Sequence, residues 1–380
     1  MTHAEVVVVG SGPSGLATAA ALTELGIPTT VLERGPRVGA VWAGRYDGLR
    51  FNTSRRASAL RGAPFPREFG MFPTRDQYVS YLEDYATRHH VAVELGVTVT
   101  RLDQDDEGWL VSTTAGERGC RHVVVATGIY HSPKLPGWAT GSPFAGRLLH
   151  AADYRNAAPF VGQDVLVVGA GSTGMEIAHQ LSVGGARRVR LAIRRPPALL
   201  LRTTGGLPAD LPVPLFLHLP TRMVDTMLRG MQRATVGDLS AHGLPTATEG
   251  AFSRLKADGT GAAIIDKEVL TAIRGGRIEC VAAVSSLDAD GAIHADGSRT
   301  TADAVILATG YTTGLTDLVG HLGVLDETGM PRDRTGSEAT PGLRFVGYVF
   351  RPGITGYVSS IARRVSREIA ADVVSPARAG

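Results

Sequence analysis

The stretch Glu5-Val6-Val7-Val8-Val9-Gly10-Ser11-Gly12-Pro13-Ser14-Gly15-Leu16 joins an apolar run to a glycine turn and an alanine-rich helix that runs to Leu25. In that context the GxGxxG spacing has a mechanical meaning: Gly10 permits a tight turn, Gly12 lets bare backbone approach a pyrophosphate, and Gly15 lets helix pack on strand. Phosphates would rest on the helix N-terminus, where unpaired N–H groups point outward. The next apolar run, Thr29-Thr30-Val31-Leu32, ends at Glu33, an acid placed to accept hydrogen bonds from a ribose. Glycines alone would equally make a flexible loop. Strand, turn, helix, strand and terminal acid in this order point to a dinucleotide site suited to FAD.

The pattern returns as Asp164-Val165-Leu166-Val167-Val168, then Gly169-Ala170-Gly171-Ser172-Thr173-Gly174, then a helix from Met175 to Leu181. Here the following strand, Val189 to Ile193, ends in Arg194-Arg195. Arginine cannot accept from a free 2′-hydroxyl but pairs well with a 2′-phosphate, so this second site suits NADPH. The plainer reading of Arg194 and Arg195 is two more surface arginines in an arginine-rich chain.

Two further runs, Val123-Val124-Val125-Ala126-Thr127-Gly128 and Asp303 to Thr309-Gly310-Tyr311, each deliver an apolar strand into Ala-Thr-Gly. They support a duplicated α/β architecture of two Rossmann-like domains, with the NADPH domain inserted into the FAD domain. The expected layout is an FAD half over 1–155, an NADPH half over 160–308 and a return to the FAD half over 309–380. Phe144 to Pro159 would be the first crossing and the segment after Tyr311 the second. The tract 196–261 has little strand character and one helix expected from Arg222 to Arg233. Ala198 to Leu219 within it, broken by Pro208, Pro212 and Pro214 and holding Asp210, reads as a mobile apolar cover and not as a membrane span. Met227, Leu228 and Met231 would line a substrate entrance or serve as core, with core preferred for each.

Composition bounds the rest. The 380 residues suffice for two medium domains, and 43% hydrophobic with 20% charged residues is ordinary for a globular chain. Glycine stands out at 47 residues, about 12% against a usual share of about 7%. Lys134, Lys256 and Lys267 are the only lysines among 39 basic residues, yet the net charge is only +3 and the arginines are scattered, which excludes a nucleic-acid tract. Cys120 and Cys280 form no CxxC motif, so neither a metal cluster nor a redox disulfide is expected. With no leader pattern before the first strand and no long apolar run, a cytoplasmic protein without a stable membrane anchor is expected. A homodimer is left open.

Between the two nucleotide motifs lies Phe144-Ala-Gly146-Arg-Leu-Leu-His150-Ala-Ala-Asp-Tyr154. It resembles the FxGxxxHxxxY signature of class B flavin monooxygenases, and its closing Tyr154 favours the flavin-containing and YUCCA-like branches over Baeyer–Villiger relatives, which usually end it in tryptophan. The first glycine motif, Val31-Leu-Glu-Arg34, Pro64-Phe-Pro-Arg-Glu-Phe, Pro73-Thr-Arg-Asp-Gln-Tyr and Thr355-Gly356 are similar to the YUCCA branch. The resemblance is weakest over 196–261. It implies cofactor contacts at Pro13, Ser14, Arg34, Ala126, Gly128, Thr173, Thr309, Gly310 and Thr355, and at Trp42 in the loop after the ribose acid. It also places Asn52 beside the reactive edge of the flavin, although the residue by itself reads as a turn asparagine. Ser172 departs from the asparagine that many relatives carry there. His150 reads as a hinge or packing histidine in preference to a proton carrier.

No Ser/His/Asp set, paired carboxylates or metal-ligand spacing emerges, which fits chemistry carried by cofactors. The resemblance implies that NADPH reduces FAD, that NADP⁺ stays bound, and that a flavin peroxide adduct oxygenates a small organic substrate. Asn52 and the nicotinamide amide are the candidate donors that protect the adduct in a dry site. The YUCCA branch implies oxidative decarboxylation of an aryl 2-oxo acid; the wider family implies oxygen transfer to nitrogen or sulfur. A peroxide-producing reductase or oxidase and a non-catalytic nucleotide-binding regulator are the alternatives.

Overall fold

The computed structural model describes residues 5–374; the expected outer bounds at residues 1 and 380 lie outside the described residues. Val6–Val9 is all valine because both of its faces are covered. Val6 and Val8 pack with Ala19, Leu22, Ile361 and Val365. Val7 and Val9 pack with Leu102, Trp109 and Val111. Alternating side chains and double coverage turn a parallel strand into a continuous apolar run.

Around it lies a parallel sheet in the order Leu343–Phe345, His122–Val125, Val6–Val9, Thr29–Glu33, Val93–Leu95, with Glu338–Thr340 antiparallel at one edge. The helices Pro13–Glu24 and Ile354–Val374 cover one face, and the antiparallel strands Val99–Asp105, Gly108–Thr113 and Gly116–Cys120 cover the other. The second sheet repeats this scheme with all strands parallel: Glu279–Ala282, Arg188–Ile193, Asp164–Val168, Ala304–Leu307, Arg147–His150. Val165 and Val167 meet Met175, Ile177 and Leu181 of the helix Ser172–Val183. Leu166 and Val168 meet Leu287 and Ala292 of a second three-stranded antiparallel layer.

One expectation is corrected by the pairing. Arg147–His150 already belongs to the second sheet, so neither a crossing over Phe144 to Pro159 nor a boundary at 155 holds. Arg-Leu-Leu-His carries only two apolar residues and reads as linker until its partner strand is known. The chain crosses before it, and Ser132–Pro133 in that crossing pairs antiparallel with Tyr311–Thr312 in the return crossing.

The tract 196–261 is also more built-in than a cover. Leu199–Leu201 is a buried strand paired with Ala263–Ile265. The expected helix is present as Thr221–Thr235. Met227 on it is 46% exposed and so is not core, while Leu228 faces the large cavity described below. Among the described residues no helix is long and apolar enough to cross a membrane.

Candidate active site

Both glycine turns obey the same sterics. Gly10 (φ +103°) and Gly169 (φ +115°) adopt a backbone that favours glycine. A Cβ at Gly10 would lie 3.0 Å from the Ala126 oxygen, and one at Gly169 would overlap the Ala308 oxygen. The two Ala-Thr-Gly runs are therefore the lids over the two first glycines. Gly15 and Gly174 are filled in the same way, each against the carbonyl oxygen of the first glycine of its own motif. Gly12 and Gly171 differ: no protein atom lies within 4 Å of where a Cβ would be. Each is the N-cap of a 12-residue helix, so open space sits against an array of unpaired N–H donors.

Those spaces belong to one continuous cavity of about 1390 Å³, above the roughly 300–1,000 Å³ of a single-ligand pocket. Of the residues expected to bind cofactor, all but Gly15 line it, from Gly10, Gly12, Pro13, Ser14, Glu33, Arg34, Trp42 and Asn52 through Ala126 and Gly128 to Gly169, Gly171, Ser172, Thr173, Gly174, Arg194, Arg195, Thr309, Gly310 and Thr355. Phe144, Gly146 and Tyr154 do not. Gly146 is held against Phe144 and the Asp303 carbonyl, and Tyr154 is 1% exposed with its hydroxyl on Gln180 at 3.1 Å, so both serve packing.

Glu33 ends its strand buried, accepting from the Ser11 N–H (2.9 Å), the Ser11 hydroxyl (2.6 Å) and the Gly35 N–H (2.8 Å). Three fixed donors orient a carboxylate that still has acceptor capacity toward the cavity. At the second site Arg195 is bound to Asp258 at 2.9 Å and to Glu249, whereas Arg194 is exposed and makes no ion pair among the described residues. The Asn52 oxygen Oδ1 is buried and has no hydrogen-bond partner. Trp42 stacks on Phe51 at 5.1 Å and meets Tyr78 edge-on at 4.8 Å, fixing the wall beside Asn52. A glycine-bare cradle at each helix N-terminus, a ribose-type acid, a free arginine and an orphaned amide oxygen fit FAD and NADPH.

Sequence reasoning missed a buried polar cluster at the same wall. Arg202, 3% exposed, donates to Glu176, to Asp266 (3.0 Å) and to the carbonyls of Phe51 (2.8 Å) and Arg50 (3.2 Å). Tyr46 donates to Glu176. Burial pushes the Glu176 carboxyl up even though Arg202 opposes it, and burial followed by the Glu176 charge raises Tyr46 well above its ordinary value. Asp210 accepts from the Ser54 N–H (2.9 Å) and hydroxyl (2.8 Å), and its other oxygen is buried without a donor. The one visible signal was an acid inside an apolar tract. Elsewhere His122, Glu338 and Asp372 cluster, but Arg344 sits against both carboxylates and completes an ion-pair network.

His150 also faces the cavity. Its Nδ1 accepts from the Ala152 N–H (3.1 Å), which leaves Nε2 to donate to the Gly310 carbonyl (3.0 Å) and fixes a neutral tautomer. Burial pushes the imidazole below its ordinary value, outweighing the Gly310 carbonyl and Asp153. A depressed histidine binds its proton in the unfolded chain first, so stability is whole above about pH 6.5 and is lost as pH falls towards the folded value, by up to about 1.4 kcal/mol per unit. His150→Gln should flatten that decline when urea midpoints are compared between about pH 6.5 and 5. An unchanged profile would show that His150 is not held neutral.

Two dinucleotide sites opening on one cavity, without a cysteine pair, define a flavoprotein that passes electrons between cofactors and not through a disulfide. Cys120 and Cys280 are free and lie in different sheets. The model of the family described as pyridine nucleotide-disulphide oxidoreductase matches residues 7–199. The indole-3-pyruvate monooxygenase YUCCA1 of Oryza sativa subsp. japonica is 33% identical over 374 residues, 96% of this chain and 90% of that protein. A flavin monooxygenase variant from Stenotrophomonas maltophilia superposes with a TM-score of 0.75 at 25% identity, covering 98% of this chain and all of the other. OTEMO in complex with FAD and NADP gives a TM-score of 0.75 at 16% identity, over 98% and 85% of the two chains, and shows the fold alone. The chain belongs to the class B flavin monooxygenases, in the YUCCA branch. It is an NADPH-dependent FAD monooxygenase of small organic substrates.

Proposed function

We propose that the enzyme catalyses oxidative decarboxylation of an aryl 2-oxo acid of the indole-3-pyruvate type, the substrate in the names of the plant relatives. One atom of O₂ enters the new carboxylate and the other leaves as water with two electrons from NADPH and a proton; the old carboxyl carbon leaves as CO₂. The observation that carries the reading is the pair of matched glycine turns opening on one cavity whose wall holds the orphaned Asn52 oxygen.

Bound FAD supplies electron transfer from NADPH and the activation of oxygen. The chain supplies position and dryness. Gly12 and the Pro13–Glu24 N-terminus take the FAD pyrophosphate and Glu33 its ribose, with the first sheet as FAD domain. Gly171 and the Ser172–Val183 N-terminus take NADPH, with the second sheet as its domain and 196–261 as the substrate wall. Asn52, on the wall the two domains share, offers its amide to the reacting edge. Leu200, Val213, Phe216 and Phe252 exclude water from an aromatic substrate. Among arginines on the wall, Arg45, Arg195 and Arg254 are committed to Tyr311, to Glu249 with Asp258, and to the Pro196 carbonyl. Arg50, two residues from Asn52, makes no side-chain hydrogen bond among the described residues and is placed to pair with the substrate carboxylate.

Because Arg195 is already shared between two carboxylates, Arg194 carries the 2′-phosphate contact. Arg194→Ala should reduce the preference for NADPH over NADH by about 10- to 100-fold, the range of one charged hydrogen bond. Arg195→Ala should cost less. Equal losses for NADPH and NADH would remove the 2′-phosphate argument. The reaction itself is tested by turnover on a 2-oxo acid, a tertiary amine and a sulfide with NADPH: acid and CO₂ in step with NADPH support it. Turnover confined to the amine or sulfide would replace it, and peroxide alone would mark an oxidase.

A further inference from the structure

We propose that Arg202 and Asp210 are positioning residues which grip the Arg50–Ser54 backbone from both ends and so hold Asn52 in place. The inference rests on the reading of Asn52 given above. No group among the described residues hydrogen-bonds the Asn52 amide, so its place is inherited from its backbone. Arg202 fixes the two carbonyls before it, at Arg50 (3.2 Å) and Phe51 (2.8 Å). Asp210 fixes the Ser54 N–H and hydroxyl after it, at 2.9 and 2.8 Å. The same segment is also tied through main chain, Phe51 N–H to the Pro73 carbonyl (3.0 Å) and Arg55 N–H to the Met71 carbonyl (2.8 Å), and locally through Ser58, whose hydroxyl lies 2.7 Å from the Thr53 hydroxyl.

Both clamp residues come from the tract that forms the substrate wall, more than 150 positions along the chain from the segment they hold. Arg202 is itself immobilised by Glu176 and Asp266, so its fork cannot follow the loop if the loop drifts. The tract is therefore a brace for Asn52 as well as a wall for substrate. A loosened brace leaves both nucleotide turns intact but misplaces one amide, and misplacement of about an ångström can cost roughly a hundredfold in an oriented reaction.

The test uses the full chain with Asp210→Ala, Asp210→Asn, Ser54→Ala, Arg202→Lys and, as reference, Asn52→Ala. Hydrogen exchange of the flavin-free protein reads the brace directly: over residues 50–56, Asp210→Ala and Arg202→Lys should exchange about fivefold faster, the factor one hydrogen bond supplies. In the holoenzyme the peroxide released per NADPH should rise between about three- and thirtyfold, below the hundredfold bound. Asp210→Asn, which keeps an acceptor for the Ser54 N–H, should recover most of it, and Asp210→Ala combined with Ser54→Ala should be no worse than Asp210→Ala. Unchanged exchange would overturn the brace. Faster exchange with unchanged coupling, while Asn52→Ala does uncouple, would reduce the clamp to a structural contact. Unchanged coupling in Asn52→Ala would overturn the Asn52 reading and the functional half of the clamp, leaving exchange to decide the structural half.

Discussion

Gly171→Ala should give a folded protein that retains FAD and is reduced by NADPH with an affinity lower by about two orders of magnitude. Gly171 has φ −76° and ψ 178°, extended backbone that alanine adopts without strain, and no protein atom lies within 4 Å of the added methyl. The methyl instead enters the open space at the helix N-terminus, where the proposed pyrophosphate contact lies. Each charged hydrogen bond lost there is worth about 1.5–3 kcal/mol, so two of them at the lower end of that range account for on the order of a hundredfold. Gly174→Ala is the contrast, because its methyl would overlap the Gly169 carbonyl oxygen and strand and helix cannot separate without unfolding the motif. Anaerobic titration of flavin bleaching against NADPH reads the first, and yield of soluble flavoprotein reads the second. Wild-type NADPH affinity in Gly171→Ala would contradict the cradle.

Arg202→Ala should lower the melting temperature by on the order of 10 °C. Removing one partner of a buried pair leaves the other charge uncompensated, which costs about 3–5 kcal/mol, and a domain of this size loses roughly 2–4 °C per kcal/mol. Glu176, whose side chain is 14% exposed, is the charge stranded here, and the carbonyls of Arg50 and Phe51 lose their donor with it. Arg202→Leu combined with Glu176→Gln should regain much of the loss, because no buried charge remains. A single variant that melts like the wild type would show that the cluster is hydrated and weak.

Both nucleotide turns were legible because their constraints are local: a positive φ at Gly10 and Gly169, a close approach at Gly15 and Gly174, and an acid or an arginine pair at the next strand end lie within 30 residues in each motif. Arg194 and Arg195 were visible as a pair, but their difference was not, since Glu249 and Asp258 reach Arg195 from 54 and 63 positions away. Asn52 was found by resemblance alone; its buried, unpartnered oxygen is a property of packing. Tyr46, Glu176, Arg202 and Asp210 obey no spacing that one helix or strand imposes, so only the folded chain assembles them. Leu199–Leu201 was mistaken for cover because the prolines beyond it hide a strand whose partner lies 64 residues on.

The decisive measurement is turnover under ¹⁸O₂ with NADPH and indole-3-pyruvate, with product, CO₂ and NADP⁺ quantified together. The expected result is one ¹⁸O atom in each carboxylate formed and equal amounts of acid, CO₂ and NADP⁺. NADPH oxidised to NADP⁺ with all of the label in hydrogen peroxide, or an acid product without label, would contradict it.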